Sequence, residues 1–165
     1  MSIIHVRIDD RLIHGQVATM WTSNLNATRI MVIDDEAANN DITKMSLKLA
    51  TPNGVSLSVL PVEKAAMRLK ENAYEGQRVF VIVKSPDTLE KLVKLDVDIK
   101  QVNVGNLTFV AGKTKVSTTV AITEEEYAIL EELRKQGVKI TLQLIPANPI
   151  EDFFDVAKKK FGGEG

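Results

Sequence analysis

The chain has 165 residues, 44% hydrophobic and 26% charged, the composition of one soluble globular domain with a core of its own and no room for a second. Lys and Arg number 21 and Asp and Glu 22, a formal net charge of -1, without the basic excess of a nucleic-acid binder. There is no cysteine, which excludes disulfides, thiol catalysis and thiolate metal sites and is compatible with a cytoplasmic location. Aromatic residues are only 5%, so the core must be built from Val, Ile, Leu and Ala, a choice that suits a buried sheet covered by helices.

The run from Met1 to Asp10 is apolar but broken by His5 and Arg7, too short and too polar for a signal peptide. No stretch approaches the ~20 apolar residues of a membrane span. Any membrane role is therefore expected to come through a partner. Ile3–Asp9 reads as a first strand and Gly15–Leu25 as a helix, with Val17, Met20, Trp21 and Leu25 near helical spacing. Arg29–Asp34 predicts a second strand, Glu36–Leu49 a helix, Val55–Leu60 a strand and Pro61–Asn72 a helix opened by its proline. Val79–Val83 is the most continuously apolar run, expected as a central strand buried on both faces.

Ser85 then caps a helix with Pro86 at its first position, and Ile99–Val104 is a strand ending at Gly105. Leu107–Ile122 alternates Thr and Val around Gly112-Lys113, which predicts a hairpin or an antiparallel edge. Thr123 with Glu126 forms a capping box for a helix over Thr123–Gln136 that Gly137 stops. Val138–Leu144 is the last strand and Pro149–Phe161 the last helix, before a GGEG tail expected to fray. The alternation predicts a single α/β domain over residues 1–165: an open, mostly parallel sheet with helices on both faces and one antiparallel edge strand.

In open α/β sheets ligands bind at the carboxyl ends of strands, near the point where strand order reverses. The first strand ends in Asp9-Asp10-Arg11-Leu12-Ile13-His14-Gly15-Gln16, two carboxylates, a guanidinium and an imidazole leading into a helix. Phosphoryl transfer through a histidine needs an exposed ring with a lone pair to supply, and donors waiting for the arriving negative charge. The backbone N–H groups and partial positive charge of a helix N-terminus supply part of that, Gly15 lets the backbone approach, and Arg11 adds a planar fork suited to phosphate oxygens. Asp9 or Asp10 either orients Arg11 or fixes the ring tautomer.

The plainer reading is that Asp9-Asp10 makes a turn and a helix cap, with Arg11 paired to it on the surface. Two further strand ends face the same crevice: Lys84-Ser85, and Asn103-Val104-Gly105-Asn106. Ser85 also reads as a cap and Asn106 as a turn residue. His5, inside the first strand, reads as structural, and neither histidine has metal-ligand spacing. The residues by themselves also admit a signalling receiver domain, with Asp9, Asp10 and Lys84 in its acidic site, but the third strand ends at Leu60-Pro61 without an acceptor Asp. A regulatory module in which phosphohistidine is only a signal is a second alternative.

The segment RIDDRLIHGQV at Arg7–Val17, continuing into ATMW at Ala18–Trp21, strongly resembles the phosphorylation-site segment of the IIB component of the mannose/fructose/sorbose family of the phosphoenolpyruvate-dependent sugar phosphotransferase system. KSP at Lys84–Pro86, VNVGN at Val102–Asn106 and GKTKV at Gly112–Val116 extend the resemblance over essentially the whole chain. It implies that His14 is phosphorylated on the ring nitrogen nearer the backbone, by the histidine of a soluble phospho-IIA protein. The group then passes to a sugar, at its 6-hydroxyl, carried by the membrane subunits IIC and IID, at whose cytoplasmic side this chain would sit. Arg11 matches a position that contacts the phosphoryl group, and Asp10 lies in the same loop. Asp9, Gly15, Gln16, Lys84, Ser85, Asn103 and Gly105 are the further residues expected at the phosphate. No metal or cofactor is implied beyond the phosphate carried covalently on His14. The IIA partner is expected as a separate chain, and the oligomeric state is left open, a homodimer included. VNVGN, KSP and IPANP at Ile145–Pro149 lean towards N-acetylgalactosamine-type members.

Overall fold

The computed structural model describes residues 2–161, and the GGEG tail lies outside them. Seven strands form one sheet in the order β3-β2-β4-β1-β5-β8-β9. The strands are β1 (Ile3–Asp9), β2 (Arg29–Ile33), β3 (Ser56–Leu60), β4 (Val79–Val83), β5 (Gln101–Asn106), β8 (Lys139–Leu142) and β9 (Glu151–Asp152). All pairings are parallel except β8 with β9. A separate antiparallel pair, β6 (Thr114–Lys115) with β7 (Ala121–Ile122), lies between β5 and β8 in the chain.

β4 is the five-residue run VFVIV, fully buried as its composition demands. Val79, Val81 and Val83 join one core and Phe80 and Ile82 the other. The first core packs α4 (Val62–Lys70), α5 (Pro86–Lys94), α6 (Glu124–Lys135) and α7 (Phe153–Ala157) against the sheet through residues such as Leu69, Leu92, Leu130 and Phe153. On the other face lie α1 (Gly15–Leu25), α2 (Asp35–Ala38) and α3 (Asp41–Ala50), which contribute Trp21, Ala37 and Leu47. Two apolar faces on one parallel sheet require helices on both sides, and the arrangement predicted from the sequence is the one observed.

Several elements depart from their predicted form for local reasons. The single helix expected over Glu36–Leu49 is two, because the Asp34 carboxylate caps α2 at the Ala37 N–H and the Asn40 side chain caps α3 at the Thr43 N–H. Each cap restarts the helix. The antiparallel edge of the main sheet is not in Leu107–Ile122, which carries the separate β6–β7 pair, but at Glu151–Asp152, inside the segment expected as the last helix. The helix there is only Phe153–Ala157, capped by Asp152 at the Asp155 N–H. The capping box of Thr123 and Glu126 is formed as expected.

The strand expected to stop before Gly105 continues to Asn106, and its pairing with β1 slips there. Ile8 lies opposite Val104 and Asp9 opposite Asn106, so Gly105 is the extra residue of a bulge. The chain leaves β1 towards β2 on one side and leaves β5 towards β8 on the other, so the bulge sits where strand order reverses. A Cβ on Gly105 would overlap the guanidinium of Arg7, which fills the space above the backbone. Gly105→Ala is expected to lower the unfolding free energy by about 1–3 kcal/mol, the usual cost of overpacking a full site. Denaturant titration measures it, and an unchanged midpoint would show that Arg7 is not confined there.

Candidate phosphoryl-acceptor site

The first strand alternates. Val6 and Ile8 enter one apolar core, while His5, Arg7 and Asp9 share the opposite face beneath α1. Arg7 and Asp9 are each only 1% exposed. Arg7 Nη1 donates to Asn103 Oδ1 at 2.8 Å and to the Gln143 carbonyl at 3.3 Å, its Nη2 pairs with Asp9 Oδ2 at 3.3 Å, and its fork lies 5.3 Å from the Trp21 ring centre. Asn103 Nδ2 also donates to the Gln143 carbonyl, and Trp21 Nε1 to that of Leu144. A charge this deep is tolerable only when it is paired and hydrogen-bonded, as it is here through both Nη1 and Nη2.

Above this layer the chain turns. The Leu12 N–H donates to the Asp9 carbonyl at 2.9 Å, and Asp9 Oδ1 accepts from the Arg11 N–H at 3.0 Å. Leu12 takes a positive φ of 60°, an unfavourable conformation for a branched side chain, which its burial with Ile13 holds in place. The loop therefore touches the core at Leu12 and Ile13 and leaves Arg11 and His14 outside. Asp10 is tied across the sheet: its carboxylate accepts from Asn106 Nδ2, the Thr108 N–H and the Thr108 hydroxyl. Asn106 Oδ1 in turn accepts from Arg11 Nη2 at 3.3 Å.

His14 is exposed and stands at the N-cap position of α1, but its side chain makes no capping bond. The first turn of α1 has no acidic residue, and the N–H groups of Gly15, Gln16 and Val17 have no acceptor among the described residues. Gly15 and Gln16 are exposed, with open space around the Gly15 Cα. An imidazole free of bonds beside unused backbone donors is what a transferable anion requires. A cleft of ≈310 Å³ opens next to Arg11, lined by Asn106, Thr108, Lys115, Ser117 and Thr118. A larger hollow of ≈690 Å³ at the amino end of β2 and β3, beside Arg29, Lys44 and Lys48, contains neither histidine.

Not every expected residue joins this surface. Asn103 and Gly105 are buried below the loop, holding Arg7 and giving it room, so their access to a phosphate is replaced by a supporting place. Asn106 is a strand residue that bridges Asp10 and Arg11, and not a turn residue. Lys84 pairs with Glu36 at 3.3 Å, and Ser85 occupies the N-cap of α5 without a side-chain bond. Neither is hydrogen-bonded to the loop of His14. Arg7 was not singled out by the sequence reading, although His5, Arg7 and Asp9 at alternate positions of an apolar strand were the signal for it. Thr108, which clamps Asp10, gave none. Among the described residues no group of three or more His, Asp or Glu side chains is placed to hold a metal ion.

The sequence matches the family described as "PTS system sorbose subfamily IIB component" over residues 3–163. The chain belongs to that family. It is 35% identical to the sorbose-specific EIIB component of Lacticaseibacillus casei, over 99% of this chain and all of that one. To the mannose-specific EIIAB component of Escherichia coli K12 it is 37% identical, over 96% of this chain and 49% of the longer protein. The crystal structure of the IIBSor domain of the sorbose permease from Klebsiella pneumoniae superposes with a TM-score of 0.91 at 31% identity, covering 96% and 98% of the two chains. The open α/β fold is thus the IIB fold, and the chain is a phosphoryl-transfer subunit of a sugar phosphotransferase system. Among the described residues no helix of this IIB chain is long and apolar enough to cross a membrane.

Burial holds the His5 imidazole down from its ordinary 6.5 to about 4, against the hydrogen bond that Asn103 Oδ1 accepts from its Nε2 and with help from the nearby Arg7 charge. Burial likewise pushes the Asp9 carboxyl up, opposed by the Arg11 N–H and by both arginines, and pulls Arg7 down, opposed by Asp9. For His5 the unfolded chain takes up the proton first as pH falls from about 6.5 to about 4, so stability is full above that window and is lost through it. The loss amounts to at most about 3 kcal/mol. Asp9 acts in the opposite sense as pH rises from 3.8. Denaturant midpoints of the wild type and His5→Gln, measured from pH 7 to pH 4 and subtracted, cancel every other group; the difference should shrink steadily through the window. A difference independent of pH would contradict a half-buried His5 held neutral.

Proposed function

We propose that His14 is the phosphorylated residue of this IIB component, accepting a phosphoryl group from the phosphohistidine of a IIA protein and passing it to a hexose or N-acetylhexosamine during uptake through IIC and IID. The observation that carries the reading is the exposed His14 ring at the mouth of α1, uncapped and beside three unused backbone N–H groups. In the first half-reaction a lone pair of the neutral ring, on Nδ1, attacks phosphorus. The P–N bond of the donor breaks and its histidine recovers its own lone pair. In the second, a sugar hydroxyl attacks the same phosphorus, loses its proton to a base on the acceptor side, and His14 leaves as neutral imidazole.

Both transition states spread negative charge over the equatorial oxygens, and the contribution of the protein is to have donors already aimed there. The first-turn amides of α1 and the Arg11 fork, 45% exposed in its side chain, are the groups for that task. Asp9 and Asp10 hold the loop and do not face the ring as bases: their oxygens are taken by Arg7, Arg11, Asn106 and Thr108. The IIB chain is placed on the cytoplasmic side of the membrane through its partners. Its relatives carry sorbose and mannose in their names. The sugar is chosen mainly by the membrane subunits.

Labelled phosphoenolpyruvate with the upstream carriers and IIA should phosphorylate the wild type and leave His14→Ala unlabelled at an unchanged melting temperature. Label retained in the folded variant would remove His14 from the mechanism. The bond should survive alkali and break in acid, as a phosphoramidate does and an acyl phosphate does not. Arg11→Ala is expected to slow transfer by roughly tenfold to a hundredfold without abolishing it, the cost of one charged donor.

A further inference from the structure

We propose that Arg7 is a positioning residue for the transfer: by neutralising Asp9 from beneath the sheet surface it leaves the Arg11 guanidinium available to the phosphoryl group on His14. The inference rests on the reading of His14 given above.

Asp9 stands between two arginines. Its Oδ2 faces Arg7 Nη2 at 3.3 Å, and its Oδ1 lies 4.0 Å from Arg11 Nε while accepting the Arg11 backbone N–H at 3.0 Å. The two guanidiniums differ in surroundings. Arg7 is confined by Asn103, the Gln143 carbonyl, Trp21 and the Gly105 bulge, whereas the side chain of Arg11 is 45% exposed. Only Nη2 of the Arg11 fork donates to a neighbour, Asn106. The other carboxylate of the loop does not compete for it, because Asp10 is taken by Asn106 and Thr108.

A buried carboxylate whose partner is removed is costly and draws in the nearest cation. Arg11 is the one in reach. Without Arg7, the Arg11 fork would close onto Asp9 and its charge would turn inward, away from the face on which His14 is exposed. Burying Arg7 therefore keeps the second arginine outside. A purely structural role, pinning β1 to β5 and β8, makes a different prediction: there, removing Asp9 as well as Arg7 removes one more support and repairs nothing.

The test measures transfer from phospho-IIA to His14 and on to sugar in membranes holding IIC and IID, with melting temperatures alongside. Arg7→Met is expected to slow transfer by roughly tenfold, and Arg7→Lys by less because the charge is kept. Combining Arg7→Met with Arg11→Ala should be no slower than Arg11→Ala alone, since both remove the same interaction. The double variant Arg7→Met/Asp9→Asn removes both buried charges together and should recover to within about threefold of the wild type, because Arg11 is released again. Multiplying effects in the first combination, or no recovery in the second, would overturn the proposal. If Arg7→Met does not fold, the charge-balanced double variant compared with Arg11→Ala decides: a rate near the wild type supports the proposal, and a rate as low as that of Arg11→Ala refutes it. Label on a residue other than His14 in the wild type would count against the functional reading, whereas a normal wild type with a slow balanced variant counts against the role of Arg7 alone.

Discussion

The buried ion pair of Arg7 and Asp9 is the interaction on which the rest of the site depends. It closes the carboxyl end of β1 from below, with the bulge at Gly105 making room for the guanidinium and Asn103 and the Gln143 carbonyl accepting from its Nη1. Above it the chain turns locally, with Asp10 tied across the sheet to Asn106 and Thr108. Asp9 turns the chain by accepting the Arg11 N–H, Leu12 and Ile13 anchor the turn in the core beneath α1, and His14 emerges at the start of that helix. A loop without such a floor would be free to collapse onto the sheet. This one keeps its imidazole in solvent.

A carrier of phosphate has to hold the group long enough to pass it on and release it without a large barrier. The geometry meets both demands with modest means. On the proposed reading, backbone amides at a helix mouth and one exposed arginine stabilise a dianion on His14 without enclosing it, which leaves the ring open to two partners in turn. The other histidine illustrates the contrast. His5 sits two residues before Arg7 on the same face, stacked on Trp21 with ring centres 4.7 Å apart and held neutral by burial. It has the same chemistry as His14 but is half-buried, its ring covered by Trp21.

Much of this was legible in the residues. The apolar runs placed the parallel strands, the Pro and Thr signals placed the starts of α4, α5 and α6 and Gly137 the end of α6, and the charged segment Asp9–Gln16 at the end of the first strand pointed to the candidate site. What the sequence hid has physical causes. Asn40 breaks a helix in the middle of an apparently continuous pattern because its side chain offers the backbone a cap. Glu151–Asp152 joins the sheet through backbone pairing that no side-chain pattern announces. Asn103 and Gly105 read as strand-end residues open to the crevice, because polar and small residues at a strand's carboxyl end usually line one, but here they face a buried arginine. The alternation of His5, Arg7 and Asp9 recorded that polar floor. A charged side chain between apolar neighbours is ordinarily the sign of an exposed face, so the pattern alone does not mark Arg7 as buried.

The most direct measurement of the central claim is where the phosphorus sits. Nitrogen-15 and phosphorus-31 NMR of the chain, phosphorylated through its donor and kept at alkaline pH, should show one phosphorus coupled to Nδ1 of the His14 ring, with the His5 ring unchanged. Phosphorus on any other side chain, or a His14 ring that remains unmodified while the protein carries label, would contradict the account.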